Sequence, residues 1–321
     1  MRFVTEATDA VLAILAKDEA HQPITDADWQ RLTSSEPYIR LKKREAAMQR
    51  PFEDSEFKSF VMSEELAVRS TALADTLAAW RQADVDGAAR RALAYLPAGA
   101  AIRAKIYPMI KPRENSFVFE VDTDPAIFLF IDPKMSAAQL ENTLAHELHH
   151  IGYGGSCPPA PAAAEVARLP EAARAVVRWI GAFGEGLAML AAAGGPQIHP
   201  HAVSALEDRA RWDRDVARFE EDLKKVEGFF LDILDGRLSE EEAQHDGFAF
   251  FGVQGPWYTV GWRMAATIEQ AFGRARLIEA TCDMRVLPAT YNEAARSRSS
   301  APTPLWSTAI LEAIREPAEM R

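Results

Sequence analysis

The sequence predicts an α+β fold that is mostly α-helical, with one small antiparallel sheet packed beside a helix and a helical C-terminal lobe. Apolar residues recur at helical spacing along most of the chain, as at Leu66, Leu73 and Leu77. Short runs rich in Ile, Val and Phe, which are typical of strands, are concentrated in residues 101–132. The length of 321 residues is enough for one large domain or two closely packed lobes.

These patterns divide the chain into three regions that we expect to form one integrated unit. They are an N-terminal helical region at 1–100, a sheet with two important helices at 101–195, and a helical C-terminal lobe at 196–321. The composition, 48% hydrophobic and 26% charged, is that of an ordinary soluble globular protein. A formal net charge of −11 disfavours nucleic acid as a partner, because binding to phosphates needs a basic face.

Three short segments are the predicted strands: Ala101–Ile106, Ser116–Val121 and Ala126–Ile131. Prolines and polar turn residues separate them, and the middle segment alternates as expected for a half-buried strand. The third segment is apolar on both faces. It is predicted either as an edge strand that could pair with an extended peptide or as a plain core strand.

The helix after the sheet has the clearest start signal in the chain. Ser136 and Gln139 have the spacing of a capping box, so we predict a helix over 137–151 that ends at Gly152. An exposed, low-complexity loop, GGSCPPAPAAA, should follow. Further helices are predicted over 171–193, over 202–235 and from Pro256 to Phe272.

The two cysteines, Cys157 and Cys282, lack CxxC spacing, and two free thiols are preferred here over one disulfide. Acidic residues interrupt the N-terminal apolar segment, which argues against a signal peptide. The most apolar stretch, Trp179–Gly194, carries Glu185 in its middle and is too short for a membrane span. We therefore expect a cytoplasmic protein without a transmembrane segment, and the sequence leaves its oligomeric state open.

Residues 146–150 read HELHH and match the pattern HExxH. Residues four apart lie on one face of a helix, so the imidazoles of His146 and His150 can both reach one zinc ion. Glu147 is placed instead to take a proton from a metal-bound water. Polar residues 139, 143, 146 and 150 share a face opposite an apolar stripe, whereas His149 lies on another face and is not expected to bind the metal.

A catalytic zinc site needs a third protein ligand. The metzincin pattern would require Gly at 153 and His at 156, and the sequence has Tyr153 and Ser156. Glu185 is the best candidate, because a carboxylate in an otherwise apolar stretch is costly unless it is paired or bound to a metal. An ion pair with Arg178 is the alternative. The small residues around Glu185 are expected to let its helix approach the HExxH helix closely.

Three segments carry a resemblance to a known group of enzymes: residues 143–152, residues 185–188 (EGLA) and residues 258–265 (YTVGWRMA). Through them the chain resembles the gluzincin metallopeptidases, and more narrowly the bacterial zinc-dependent peptidases that join HExxH to a downstream Glu-Gly-Leu-Ala-type helix. The resemblance covers about residues 115–285. It implies one Zn²⁺ bound by His146, His150 and Glu185. The gap of 35 residues between His150 and Glu185 is longer than in thermolysin-type members.

The resulting hypothesis is a zinc metallopeptidase that hydrolyses amide bonds of a peptide or protein substrate, with Glu147 as general base. Tyr258 is the candidate for stabilising the oxyanion, with His245 and Tyr153 as alternatives and an ordinary core tyrosine as the competing interpretation. Two other functions remain open. The chain could be a catalytically silent zinc-binding scaffold for partner recognition, or an amidase that acts on a non-peptide substrate.

Overall fold

The computed structural model describes residues 2–157, 160–298 and 303–315. They form a mostly α-helical protein with one small sheet, which confirms the predicted α+β class. The chain divides into two compact units. The first comprises residues 1–88 and 102–154, and the second comprises residues 89–101 and 155–321.

The first unit contains the strands and the N-terminal helices. In chain order its elements are β1 (Arg2–Phe3), α1 (Glu6–Glu19), α2 (Asp26–Thr33), α3 (Glu36–Ala47), α4 (Asp54–Val61), α5 (Glu64–Ala67), α6 (Ser70–Trp80), α7 (Val85–Leu93, which continues into the second unit), β2 (Lys105–Met109), β3 (Phe117–Phe119), β4 (Ala126–Phe130) and α8 (Ala137–Ser156).

The sheet is mixed, so the antiparallel arrangement predicted from the sequence is wrong. The strand order is β1-β2-β4-β3. β2 runs parallel to both β1 and β4, and only β3 and β4 are antiparallel. β3 lies at the outer edge of the sheet. β4 lies between β3 and β2 and runs in the same direction as β2. β4 is therefore a core strand with a neighbour on each side, not an edge strand.

The core of the first unit is built around the two central strands. Ile106 and Tyr107 in β2, and Ile127 and Phe128 in β4, have no exposed surface. Helix α1 covers this sheet, and the Thr8 hydroxyl donates a hydrogen bond of 2.5 Å to the carbonyl oxygen of Pro108. Burial of these β-branched and aromatic residues fixes the strand that leads into α8.

Helix α8 begins as predicted and ends later. Ser136 N donates to Gln139 Oε1 (2.8 Å), and Gln139 N donates to Ser136 Oγ (3.2 Å), which forms the capping box. The helix then passes through Gly152 and continues to Ser156. Gly152 is buried within the helix, where a small residue is tolerated without ending it.

The segment after α8 is not the exposed loop that was predicted. Its first glycines and serine belong to α8, and its last alanines belong to α9 (Ala160–Arg168). Pro158 and Pro159 lie outside the described residues. Cys157 forms a disulfide with Cys282, so the prediction of two free thiols is also wrong. A disulfide is typical of proteins in oxidising compartments and lends no support to the predicted cytoplasmic location.

The described part of the second unit is helical. Its elements are α9, α10 (Glu171–Ile180), a 3₁₀ turn (Gly181–Phe183), α11 (Gly184–Ala193), α12 (Leu206–Ala217), α13 (Phe219–Leu234), α14 (Glu240–Ala249), α15 (Pro256–Phe272), α16 (Arg274–Cys282), α17 (Leu287–Arg298) and α18 (Thr308–Ala313). Helix α15 has the bounds that the sequence predicted. The predicted helix over 202–235 is two helices that meet at Arg218.

Helix α15 is the centre of the second unit and packs against α11, α12, α13, α16 and α17. Its Trp257 is fully buried, lies 5.2 Å from Phe183 between ring centroids, and donates a hydrogen bond of 2.8 Å to the Gly247 carbonyl. Because the indole N–H is paired, this large side chain is buried without leaving a polar group unsatisfied. The aromatic cluster holds α15 and α11 in a fixed relation.

One described stretch, Glu171–Ala193, is long and apolar enough to pass a test for a membrane span. It comprises α10, the 3₁₀ turn and α11, and 56% of its most apolar window is buried inside the protein. A buried core helix passes the same test, so the stretch is weak evidence for a span.

Candidate metal centre

Helix α8 places two imidazole rings side by side. His146 Nε2 and His150 Nε2 are 3.0 Å apart, and the ring centroids are separated by 4.7 Å. This pairing follows from the helical repeat, which puts residues four apart about one turn away on the same face. Both side chains are half-buried, so the pair is accessible from one side.

The opposite face of α8 is apolar and fixes the rotation of the helix. Leu140, Leu144 and Leu148 are fully buried, and Ile151 is 5% exposed. With this stripe buried, the histidine-bearing face cannot turn into the core without exposing the leucines. Sequence periodicity predicted this division of the helix into two faces, and the structure confirms it.

Two neighbours of the histidine pair on α8 take different positions. Glu147 is half-buried and follows His146 directly. His149 is only 4% exposed, and its ring stacks on Tyr153 with centroids 6.2 Å apart. His149 does not belong to the group of possible metal ligands found among the described residues.

Glu185 is the second residue of α11 and the single charged residue in that helix. The seven residues that follow it, Gly186–Ala192, are all buried, whereas the Glu185 side chain is half-buried. The 3₁₀ turn before α11 separates it from α10, so Glu185 lies in the first helical turn.

Close backbone packing fixes the position of Glu185 in the second unit. A Cβ added at Gly186 would lie 2.1 Å from Trp262 N and 2.6 Å from Tyr258 O, both on α15. On the other side of this contact, a Cβ at Gly261 would lie 2.6 Å from Phe183 O. The small residues around Glu185 are predicted to allow a close helix approach, and at Gly186 the neighbour is the α15 backbone.

Ligand atoms of three residues come together: one atom each from His146, His150 and Glu185 lies within 4.8 Å of the other two. All three residues are half-buried. Zinc binds imidazole nitrogen and carboxylate oxygen at about 2.0–2.2 Å, so ligand atoms around one tetrahedral ion are roughly 3.3–3.6 Å apart. The Nε2 separation of 3.0 Å is a few tenths of an ångström shorter than this spacing, and the donor set of two imidazoles and one carboxylate is one that zinc binds.

Tyr258 lies in the first turn of α15, and its backbone carbonyl is in contact with Gly186, the residue after Glu185. Its side chain is half-buried, and its ring centroid is 6.5 Å from that of Phe251. The structure therefore places the backbone of Tyr258 beside the start of α11 within the second unit. The sequence signal for this contact is the pair of glycines, Gly186 and Gly261, whose spacing along the chain does not reveal that they meet.

The remaining histidines considered from the sequence have other surroundings. His199 Nε2 is 2.9 Å from Asp213 Oδ1, and His201 Nδ1 is 3.0 Å from Ser204 Oγ. His201 is 6% exposed, and this burial lowers the pKa of its imidazole. His245 is exposed on α14. None of them belongs to the metal-binding group found among the described residues.

The fold is mostly helical, and His146, His150 and Glu185 form a group of two histidines and one glutamate that could hold a metal ion. The chain belongs to the family described as "Putative zinc dependent peptidase (DUF5700)", whose model matches residues 19–300. This match confirms the resemblance to zinc-dependent peptidases and also covers most of the N-terminal helical region. The narrower assignment to the gluzincins stays a prediction. No curated protein and no solved structure is significantly similar to the chain.

Proposed function

We propose that this protein is a zinc-dependent peptidase that hydrolyses amide bonds, with Glu147 as its general base. The observation that carries the proposal is the grouping of His146, His150 and Glu185 within 4.8 Å, in a chain whose HExxH motif also supplies a glutamate. A purely structural zinc site needs no base and usually has four protein ligands. Retention of Glu147 beside a three-residue donor set therefore favours catalysis.

Three protein ligands would leave one coordination position for water or substrate, as in catalytic zinc sites. When bound there, zinc supplies a Lewis acid that polarises a carbonyl and lowers the pKa of water towards about 7. The roles of the protein side chains follow from their positions. His146 and His150 would hold the ion from one face of α8, and Glu185 would complete the set from the first turn of α11.

Glu147 is the proposed proton carrier. It is adjacent to His146 but about 100° further around the helix, so it borders the ligand pair without belonging to it. Its carboxylate accepts a proton from the attacking water and then donates it to the leaving amine. One group can perform both transfers, because the first step leaves it protonated for the second.

Tyr258 is the proposed donor to the oxyanion that forms on the substrate carbonyl. A phenol O–H near the reacting carbonyl stabilises the negative charge that develops in the transition state. Support for this role comes from the contact of the Tyr258 backbone with Gly186, beside Glu185. The proposed partner is a peptide or protein substrate.

The test combines metal content with peptide hydrolysis, measured on the wild type, His150→Ala, Glu147→Gln and His245→Ala. We expect about one zinc per chain in the wild type, none in His150→Ala, and unchanged zinc in Glu147→Gln with hydrolysis reduced by about 10³-fold. His245 is exposed on α14 and outside the metal group, so His245→Ala is the control for zinc content and should bind about one zinc per chain, as the wild type does.

The two parts of the test can fail separately. Absence of zinc from the wild type after zinc is supplied would overturn the metal site. Full hydrolysis by Glu147→Gln would overturn the base and leave the metal site standing. A mixed peptide library beside a panel of non-peptide amides separates peptidase from amidase activity, since the chemistry at the metal is the same for both.

A further inference from the structure

A cavity of about 260 Å³ lies in the first unit. Its walls come from α3, the segment leading into α4, the start of α4, and the residues that follow β2. The lining residues are Leu41, Glu45, Arg50, Pro51, Phe52, Glu56, Phe57, Lys111, Pro112 and Arg113.

One wall of this cavity is apolar and rigid. Leu41 is 2% exposed and Phe57 is 3% exposed, so both belong to the folded core. The rings of Phe52 and Phe57 lie 5.7 Å apart between centroids, and both contact Tyr38. This wall offers a preformed surface for an aromatic or aliphatic group, as ligand pockets commonly do.

The other end of the cavity carries a buried lysine. Lys111 is only 4% exposed, and its ammonium donates to two neutral oxygens, Arg113 O and Asn115 Oδ1 (2.8 Å). Within the described residues it forms no ion pair. A buried ammonium without a counter-ion is costly, since its charge has lost water without gaining an opposite charge at contact distance. Burial accordingly lowers the pKa of Lys111 to about 8.

The arginines around Lys111 share a single buried carboxylate. Glu45 is in contact with Arg44, and its Oε2 lies 3.2 Å from Arg50 Nε and 3.9 Å from Arg113 Nε. Glu45 raises the pKa of Lys111, whereas burial and the charges of Arg44, Arg50 and Arg113 lower it. Four cations therefore surround one buried carboxylate, in a chain whose net charge is −11.

The second carboxylate of the lining does not cancel this excess. Glu56 lies at the start of α4, where its Oε2 accepts a hydrogen bond of 2.8 Å from the Glu53 backbone N–H. It is exposed and caps its own helix. The lining of the cavity therefore carries more positive than negative charge, and Lys111 donates two of its three N–H groups to described residues.

We propose that this cavity is a binding site for a small monocarboxylate with an apolar body. The carboxylate is held by Lys111 with Arg50 and Arg113, and the body lies against Leu41, Phe52 and Phe57. Such a ligand supplies the missing counter-ion and covers the apolar wall in one step. The site uses none of the proposed metal ligands and does not depend on peptidase activity.

The test uses 3-phenylpropionate as the probe and 3-phenylpropanol and 3-phenylpropylamine as neutral and cationic analogues of the same shape. Binding is followed by calorimetry and by NMR shifts of the Leu41 methyl groups. We expect the carboxylate to bind at least about 10-fold more tightly than the alcohol, because a charged hydrogen bond is worth more than a neutral one. The amine should not bind.

Two substitutions locate the carboxylate. Lys111→Met keeps the length of the side chain and removes its charge, and it should weaken binding of 3-phenylpropionate by at least about 10-fold. Arg50→Gln should also weaken binding of 3-phenylpropionate. Because Arg50 is more exposed than Lys111, this variant is the second test if Lys111→Met fails to fold. Lys224→Met is the matched control, since Lys224 is 67% exposed on α13 and paired with Glu220.

The outcomes decide the proposal. Selective binding of the carboxylate, weakened by either cavity substitution and unchanged in Lys224→Met, supports it. Absence of binding, equal binding of the alcohol, or wild-type affinity in both cavity variants overturns it.

Discussion

The two helices that carry the proposed metal ligands are built on different principles. Helix α8 presents two histidines through helical spacing alone, with an apolar stripe buried on its other face. Helix α11 presents Glu185 from an almost wholly buried helix whose backbone touches that of α15 at Gly186. The first half of the donor set depends on local sequence, and the second half depends on packing between distant segments. Substitutions in α8 and in α11 should therefore differ in their effects on zinc binding and on stability.

The largest expected effect is the loss of zinc in Glu185→Ala. Substitutions of residues that only support a ligand cost about 10–100-fold in metal affinity, so removal of a proposed ligand should cost more than about 100-fold. We expect thermal unfolding of the metal-free protein to change little, because Glu185 is half-buried. Zinc affinity is measured by competition with a chromophoric chelator.

Glu207→Ala is the control for Glu185→Ala, since Glu207 is exposed on α12 and outside the metal group. If Glu185→Ala kept wild-type zinc affinity, another residue would be the third ligand. In that case α11 would not supply the carboxylate ligand, and the comparison of the two helices would no longer apply to the metal site.

The next effect in size is on stability, in Gly186→Ala. A Cβ at Gly186 would lie 2.1 Å from Trp262 N and 2.4 Å from Gly261 C, and backbone atoms cannot rotate away. Overpacking of this kind costs about 1–3 kcal/mol, and we expect the upper end because the obstacle is backbone. Denaturant unfolding of the metal-free protein measures the change.

Gly184→Ala is the matched control, two residues earlier on the same helix. A Cβ there has nothing within 4 Å, and alanine is preferred over glycine in helices by about 0.5–1 kcal/mol. Gly184→Ala should therefore leave the free energy of unfolding unchanged or slightly higher. Equal stability of the two variants would show that close contact with α15 does not position α11.

The smallest effect concerns Tyr258, which lies on α15 at the same backbone contact. We expect Tyr258→Phe to lower kcat by about 10-fold with little change in KM. This is less than the 10²–10³-fold effect of an oxyanion donor that acts without a metal, because zinc would share the stabilisation. Steady-state kinetics on one peptide substrate measures both constants.

Phe251→Leu alters the ring that Tyr258 faces at 6.5 Å and keeps the hydroxyl group, so it separates packing from hydrogen bonding. If Tyr258→Phe has wild-type kcat, Tyr258 is an ordinary packed tyrosine.

The features that were predicted correctly from the sequence are those that depend on residues close together in the chain. The Ser136–Gln139 capping box, the two faces of α8 and the bounds of α15 all follow from spacing within one segment. Glu185 was singled out as a charge in an apolar stretch, which is also a local signal. The histidine pair needed nothing beyond the helical repeat.

The errors came from relations between distant segments. Three short strands in succession suggested an antiparallel sheet, but β4 pairs with β2 in parallel and with β3 on its other edge. Nothing local distinguishes these arrangements. Cys157 and Cys282 are 125 residues apart, and their pairing cannot be read from spacing. The partner of Gly186 likewise lies in another segment, on α15.

The disulfide ties the redox state of the surroundings to the stability of the second unit. It closes a loop of 125 residues that contains Glu185, Tyr258 and most of the aromatic core. By the chain-entropy account, opening a loop of this length adds freedom to the unfolded chain worth roughly 4–5 kcal/mol, a large share of the stability of a typical domain. A thiol reductant in a purification or assay buffer would therefore give a reduced form of this protein with a lower free energy of unfolding. Measurements made with and without such a reductant should be treated as measurements on two different molecules.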